Sequence, residues 1–205
     1  MSRDRERHAR SIEVPIVDGL PDLPGIILAM HLAPGLATHL RGLADALLVD
    51  EFPGTTLMRA ERELLATAVS ASNECYYCMD THGAFASELL RRDGVGHVEL
   101  LVDGIKDGQL EQLAPKMARL VSIARRVAHN ARSLDRSEID EAKKAGAGDG
   151  DIQLAVLIAA GFSMYNRMVD GLRAKTPATT SAYTARAREI ADHGYSDPRT
   201  RSIPG

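Results

Sequence analysis

The stretch Glu63–His82, ELLATAVSASNECYYCMDTH, contains both cysteines of the chain. Cys75 and Cys78 form a Cys-x-x-Cys pair, His82 follows four residues after Cys78, and Glu63 lies twelve residues before Cys75. Residues spaced by three or four positions share one side of an α-helix. The spacing therefore predicts a helix that presents two thiols and an imidazole on one face, within a scaffold that buries and orients them.

The composition predicts an all-α fold. The chain has 205 residues, enough for one domain with a sizeable core, and 44% of them are hydrophobic. Ala and Leu dominate, aromatic residues make up 4%, and Trp is absent, which favours closely packed helices. No segment shows the alternation of a β-strand.

Helical periodicity and breaker residues divide the chain into three parts. We expect an N-terminal arm over 1–24, a helical domain over 25–192 and a loose tail over 193–205. Within the domain, Thr55 or Thr56 is suited to cap the helix that carries Glu63. Asn73 is suited to cap the following helix, which carries the cysteines.

Charge and apolar runs exclude several classes of partner. The formal net charge is -3, so nothing suggests nucleic acid or an anionic membrane as a partner. The charged N-terminus lacks the apolar region of a secretory signal. The longest apolar run, 154–162, is shorter than the roughly 20 residues that span a bilayer. We expect a soluble, cytoplasmic protein, in which a lone Cys-x-x-Cys pair is catalytic or metal-binding.

The expected helix start predicts reactive thiols. If Asn73 caps the helix, both cysteines lie in its first two turns, where the helix dipole stabilises a thiolate. His82, one turn beyond Cys78, is placed to accept the thiol proton. Glu63, on the preceding helix, would orient His82 if the two helices pack together, which gives a nucleophile, a base and an acid.

Each of these residues also has a simpler interpretation. The cysteines could be buried apolar side chains, or part of a metal site with His82, although no second Cys pair completes a zinc site. His82 could be an ordinary helix histidine. Glu63 could form a surface ion pair with Arg59, four residues earlier on the same helix.

The four residues together read Glu-x11-Cys-x2-Cys-x3-His, and this motif resembles the alkylhydroperoxidase D (AhpD)-like superfamily, also called the carboxymuconolactone decarboxylase family. The flanking Ser70-Ala71-Ser72-Asn73 segment fits the same pattern. The segment 163–172, SMYNRMVDGL, further resembles the uncharacterised peroxidase-related branch of that superfamily.

The resemblance implies an all-helical homo-oligomer, trimeric or hexameric, with thiol-dependent peroxidase or disulfide reductase activity. Cys78 resembles the thiol that attacks the peroxide, activated through His82 and water, and Glu63 resembles the proton-relay acid. Cys75 resembles the more exposed resolving cysteine. The implied partners are an organic hydroperoxide or hydrogen peroxide and an external dithiol reductant, and neither a cofactor nor a metal is implied.

Two features depart from the family pattern. The founding alkylhydroperoxidase has a second His directly before its second Cys, and here Tyr77 takes that place. The decarboxylases of the superfamily lack the Cys pair, which argues against the lactone reaction. Two further hypotheses remain: a redox-sensing or partner-binding helical protein, and a metal-binding protein that uses Cys75, Cys78 and His82.

Overall fold

The computed structural model of the protein describes residues 16–177, 179 and 181–201. In this part of the chain, regular structure consists of α-helices and two short 3-10 helices, with one isolated β-bridge between Pro24 and Lys175. The helices are α1 (Ile26–Leu32), α2 (Pro34–Leu48), α3 (Arg59–Ser72), α4 (Tyr76–Arg92), α5 (Val98–Lys106), α6 (Pro115–Asn130), α7 (Arg136–Lys144), α8 (Asp149–Gly171) and α9 (Ser181–His193), and the 3-10 helices are Ala131–Ser133 and Pro198–Arg201. The all-α fold class is confirmed.

The centre of the fold is the helical hairpin formed by α3 and α4. Helix α3 packs against α6 and α8, and α9 lies along α4. Ala60, Leu64, Leu65 and Ala68 of α3 are almost completely buried, as a helix surrounded by other helices requires. The hairpin that carries the motif is therefore held rigidly by the rest of the domain.

Helix α3 begins later than predicted. Met58, not Thr55 or Thr56, is its N-cap residue. Both threonine hydroxyls instead donate to the carboxylate of Asp151, in the first turn of α8, at 2.9 Å from Thr55 and 3.1 Å from Thr56. Asp151 is fully buried, and a buried carboxylate requires hydrogen-bond donors. These hydrogen bonds connect the loop before α3 to α8.

The prediction that Asn73 caps the cysteine helix is also wrong. Asn73 ends α3, Glu74 adopts a left-handed backbone conformation with φ 58°, and Cys75 is the N-cap residue of α4. The Asn73 side-chain amide donates to Asn166 Oδ1 at 2.9 Å and to Ser163 Oγ at 3.3 Å. It therefore binds α8 and does not cap α4.

Helix α8 is long and apolar enough to cross a membrane by length and composition. Half of its most apolar 18-residue segment is buried inside the protein, however. Leu154, Ile158 and Phe162 belong to the hydrophobic core. This burial identifies α8 as a core helix of the domain. A cytoplasmic location stays a prediction.

The two ends of the helical domain differ from what was expected. Of the predicted arm, 1–15 lies outside the described residues, while Leu20 and Leu23 pack against the buried cluster that contains the cysteines. The expectation of a loose tail is wrong for the described residues 193–201. Tyr195 and Thr200 are buried there, and backbone N–H groups of the segment donate to Asp45 of α2.

Candidate active site

The α3–α4 hairpin brings Glu63 to His82. Nδ1 of His82 lies 2.7 Å from Oε2 of Glu63, and the carboxylate is only 1% exposed. The alternative interpretation, a surface ion pair between Arg59 and Glu63, is wrong. The Arg59 guanidinium instead donates to the carbonyl oxygens of Ile190 and Ala191 at the end of α9.

The two cysteines lie at the start of α4. They are free thiols 3.4 Å apart, with Cys75 at the N-cap position and Cys78 within the first turn. At this distance a disulfide forms with a small side-chain movement.

Cys75 is not the more exposed thiol that the family resemblance implied. It is fully buried, in a cluster with Leu28, Tyr77 and Val169, whereas Cys78 keeps 3% of its surface exposed. A hydrogen bond with Cys78, together with burial, raises the pKa of Cys75, so this thiol is protonated at neutral pH.

A polar network holds the turn that carries Cys75. The Cys75 N–H donates to the Ser70 carbonyl at 2.9 Å. Asn166, which is 1% exposed, donates from its amide to Ser70 Oγ at 3.0 Å and accepts a hydrogen bond from Asn73. The Asn166 segment of α8, one of the features that carried the family resemblance, therefore fixes the position of the first cysteine.

His82 lies among aromatic rings. Its ring meets Phe162 edge to face, with centroids 4.5 Å apart, and Phe85 in a similar arrangement at 5.4 Å. These rings restrict the rotation of the imidazole and exclude water from two of its sides. The polar contacts of His82, to Glu63 and Tyr195, are made through Nδ1.

Tyr195, which the sequence did not indicate, completes the polar contacts. Its hydroxyl donates to Oε1 of Glu63 at 2.5 Å and lies 3.5 Å from Nδ1 of His82. Burial and the adjacent Glu63 charge raise the pKa of Tyr195 well above its usual value. Tyr195 comes from the segment after α9, which has no helical periodicity, and its position 132 residues from Glu63 leaves no local signal.

A cavity of about 310 Å³ opens beside Cys78 and His82. Apolar and aromatic side chains make up most of its wall, and Arg41 and Arg186 also contribute. The lining residues include Pro24, Ile26, Ile27, Met30, Leu40, Ala44, Tyr77, Thr81, Phe85, Phe162, Tyr165, Ala182, Tyr183 and Tyr195. The cavity thus gives a ligand access to Cys78 and to the imidazole together.

Tyr77, at the place of the founding enzyme's second His, is part of this wall. Its ring contacts Tyr183 edge to face with centroids 6.0 Å apart. Burial raises the pKa of Tyr77, so it is neutral and adds no base to the site. Among the described residues, the buried hydroxyls of Thr81 and Tyr183 find no hydrogen-bond partner in the protein.

The described residues contain no group of three His, Cys, Asp or Glu side chains arranged to hold a metal ion. The three residues considered for metal binding instead form two different pairs. Cys75 lies against Cys78, and His82 is bound to Glu63. This arrangement suits proton transfer and thiol redox chemistry, in which one thiol is accessible and its neighbour is in bonding range.

Comparison with known proteins agrees with this description. The carboxymuconolactone decarboxylase family model matches residues 34–93, which cover α2, α3 and α4 and all four motif residues. No curated protein matches the chain significantly.

Two crystal structures share the fold over most of the chain. One is the alkylhydroperoxidase AhpD core of an uncharacterised peroxidase-related protein from Ralstonia eutropha JMP134, with 21% identity and a TM-score of 0.68, covering 91% of this chain and 87% of that one. The other is an uncharacterised peroxidase-related protein from Silicibacter sp. TM1040, with 20% identity and a TM-score of 0.63, covering 79% of this chain and 88% of that one.

Fold and site together define an all-α protein with a paired-thiol centre backed by an imidazole and a carboxylate. The family model matches the segment that contains the motif, as the resemblance in the sequence predicted, and the two crystal structures share the all-α fold.

Proposed function

We propose that the protein is a thiol-dependent peroxidase that reduces organic hydroperoxides with Cys78 and is returned to its thiol form by an external dithiol. The observation that carries this proposal is the shared cavity wall. Cys78 and His82 both line the cavity, Glu63 supports His82 from behind, and Cys75 lies 3.4 Å from Cys78. A nucleophile, a base, an acid and a resolving thiol are thus available in one place.

In the first step, His82 takes the proton of the Cys78 thiol, and the thiolate attacks the terminal oxygen of the hydroperoxide. The S–O bond forms as the O–O bond breaks, so sulfur is oxidised to a sulfenic acid and the peroxide is reduced. The departing alkoxide takes the proton from His82 and leaves as an alcohol. Glu63 stabilises the imidazolium that exists between the two proton transfers.

In the second step, the Cys75 sulfur attacks the sulfenic sulfur of Cys78. An S–S bond forms, and the hydroxyl group leaves as water with the Cys75 proton. Two exchange reactions with a dithiol then restore both thiols and oxidise the dithiol to its disulfide. Cys75 is buried and Cys78 lines the cavity, which supports attack of the dithiol on the Cys78 sulfur.

The cavity supports an organic hydroperoxide as substrate. Its volume of about 310 Å³ and its mainly apolar wall match a substrate with an apolar body, such as an aryl or short alkyl hydroperoxide. Hydrogen peroxide would fill little of this space and gain nothing from the apolar side chains. We expect a higher kcat/KM for cumene hydroperoxide than for hydrogen peroxide.

Steady-state turnover of cumene hydroperoxide with dithiothreitol tests the proposal in the wild type, Cys75→Ser and Cys78→Ser. The wild type is expected to turn over repeatedly, Cys78→Ser to lose turnover, and Cys75→Ser to be severely impaired because its sulfenic acid is not resolved internally. Full turnover by Cys78→Ser would sink the proposal. A wild type that is oxidised once and never recycled would favour a redox-sensing protein instead.

A further inference from the structure

Tyr195 reaches the active site from the segment that follows α9. Its hydroxyl lies 2.5 Å from Oε1 of Glu63, and its ring is stacked beside His82 with centroids 6.2 Å apart. Glu63 uses its other carboxylate oxygen for His82. One buried carboxylate therefore joins the base of the site to a tyrosine from a distant part of the chain.

The backbone around Tyr195 is held in place by Asp45 of α2. Its carboxylate accepts the N–H of Tyr195 at 2.7 Å and the N–H of Ser196 at 2.8 Å. Gly194 has φ 74°, and a Cβ atom there would lie 2.8 Å from the Asp45 carboxylate. The turn thus requires glycine, and these contacts give Tyr195 a fixed position.

The distances decide the direction of each hydrogen bond. A phenol has one hydrogen, and the contact with Glu63 at 2.5 Å is far shorter than the 3.5 Å contact with Nδ1 of His82. The hydroxyl therefore donates to Oε1 of Glu63. An ionised Glu63 would accept from Nδ1 of His82 with its second oxygen, which leaves Nε2 as the unprotonated nitrogen.

We propose that Tyr195 is a positioning residue of the active site, which keeps Glu63 ionised and His82 in the tautomer whose Nε2 is the base. This role rests on the proposed peroxidase function, since the base it prepares is the one that takes the Cys78 proton. The segment after the last long helix is then part of the catalytic apparatus.

Several charged groups lie near Tyr195, and each affects the titration of its hydroxyl. Arg59 of α3 favours the ionised form of Tyr195, whereas Asp45 of α2 and Glu63 of α3 oppose it. The opposing effects and burial prevail, so Tyr195 stays a hydrogen-bond donor across the working pH range. Phe85 and Phe162, which also pack against His82, carry no charge, whereas Cys78 of α4, Arg41 of α2 and Arg186 of α9 line the same cavity as His82 and also bear on its titration.

The substitution Tyr195→Phe removes this donor and keeps the ring. Without the donor, the Glu63 charge is less stabilised, so the Glu63–His82 pair holds its proton more tightly. The pKa of His82, followed by the NMR shifts of its ring protons and assigned with His82→Gln, is expected to rise by about one unit. The pH profile of kcat/KM is expected to move to higher pH by a similar amount.

A matched control is Tyr165→Phe. Tyr165 is also buried, and its hydroxyl donates to the Leu40 carbonyl at 2.6 Å, away from Glu63. This variant is expected to lose stability while the His82 titration stays at its wild-type position. An unchanged His82 titration in Tyr195→Phe, or an equal shift in Tyr165→Phe, would overturn the proposal.

Two further measurements cover the cases in which Tyr195→Phe does not fold or the wild type is inactive. If Tyr195→Phe does not fold, Gly194→Ala disturbs the turn that holds Tyr195 without changing any charge, because the added Cβ would lie 2.8 Å from the Asp45 carboxylate. It is expected to shift the His82 titration in the same direction, by less. An unshifted Gly194→Ala titration then overturns the role of Tyr195. If the wild type fails to reduce any hydroperoxide, the proposed function fails, while the NMR titration still decides the role of Tyr195.

Discussion

At the residue scale, the two cysteines share a helix start but have different surroundings. Cys78 lines the cavity next to His82, whereas Cys75 is fully buried with its pKa raised by the hydrogen bond with Cys78 and by burial. In the proposed mechanism, the thiol that lines the cavity beside a base reacts first, and the buried, protonated thiol forms the disulfide with it afterwards. Both thiols are buried, and Cys78 is the one that lines the cavity, so the expectation that Cys75 is the more exposed thiol is not met, while the roles of the two thiols stay a prediction.

This difference predicts unequal alkylation by iodoacetamide. At neutral pH, Cys78 in Cys75→Ser is expected to react at least about tenfold faster than Cys75 in Cys78→Ser. Burial, which also raises the pKa of Cys75 and remains in Cys78→Ser, disfavours its thiolate, so its alkylation is expected to gain mainly at alkaline pH. Mass spectrometry of the two variants over a pH series measures both rates. Faster reaction of Cys75 at neutral pH would contradict the assignment.

The four residues predicted from sequence are brought together, and Tyr195 was missed. The motif spacing works for Cys75, Cys78 and His82 because they lie on one helix, where position along the chain gives position in space. The position of Glu63 relative to His82 depends on the packing of α3 against α4, and the break between these helices allowed this packing to be predicted. Tyr195 depends on a long-range turn held by Asp45, and neither periodicity nor spacing carries that information.

At the element scale, the helices were predictable and their first residues were not. Apolar periodicity marks α3 and α4 clearly, since the buried stripe follows the helical repeat. The predicted N-cap residues were wrong at two helices, because their side chains form hydrogen bonds with distant residues instead. Asn73 binds α8, and Thr55 and Thr56 bind Asp151. Asp135, in contrast, does cap α7: it is exposed, and its carboxylate accepts from the N–H groups of Ser137 and Glu138 in the first turn of that helix.

Asp151 ties the loop before α3 to α8, and this predicts a pH-dependent loss of stability in Asp151→Asn. Burial opposes ionisation of Asp151, but hydrogen bonds from Thr56, Gly148 and Thr55 outweigh it and lower the pKa. A lowered pKa stabilises the fold above the unfolded value of about 3.9, and this stabilisation is lost as the pH falls below it. At neutral pH the free energy of unfolding should fall by about 1–3 kcal/mol.

Chemical denaturation at neutral and acid pH measures this effect. The difference between the wild type and Asp151→Asn should shrink as the pH falls below about 4. Asp149→Asn is the control on the same helical turn, because Asp149 is exposed and pairs with Lys143 at the surface. A cost as large for Asp149→Asn as for Asp151→Asn would refute the role given to the buried carboxylate.

At the scale of the whole molecule, the cavity is the feature that the sequence could not show. Its wall combines residues from α1, α2, α4, α8 and α9 with Tyr195. The family resemblance predicted the fold and the four motif residues, because these follow a compact pattern. The shape of the cavity depends on how distant helices meet, and in the proposed function it would select the hydroperoxide that reaches Cys78.

The family resemblance also implies a homo-oligomer, and we propose that α2 contributes to its interface. Leu36 and Leu43 are seven residues apart on this helix and are 40% and 37% exposed. Sedimentation is expected to give three or six times the 22.1 kDa chain mass. The double substitution Leu36→Lys and Leu43→Lys should lower this mass, whereas Leu100→Lys on α5 should not. A monomeric wild type would contradict the proposal.

The central claim, that Cys78 is the thiol that meets the peroxide, is tested most directly by trapping its sulfenic acid. One equivalent of cumene hydroperoxide is added to Cys75→Ser and to Cys78→Ser in the presence of dimedone, and the modified residue is located by mass spectrometry. The account predicts dimedone on Cys78 in Cys75→Ser and an unmodified thiol in Cys78→Ser. Rapid dimedone labelling of Cys75 in Cys78→Ser, with none on Cys78 in the other variant, would contradict it.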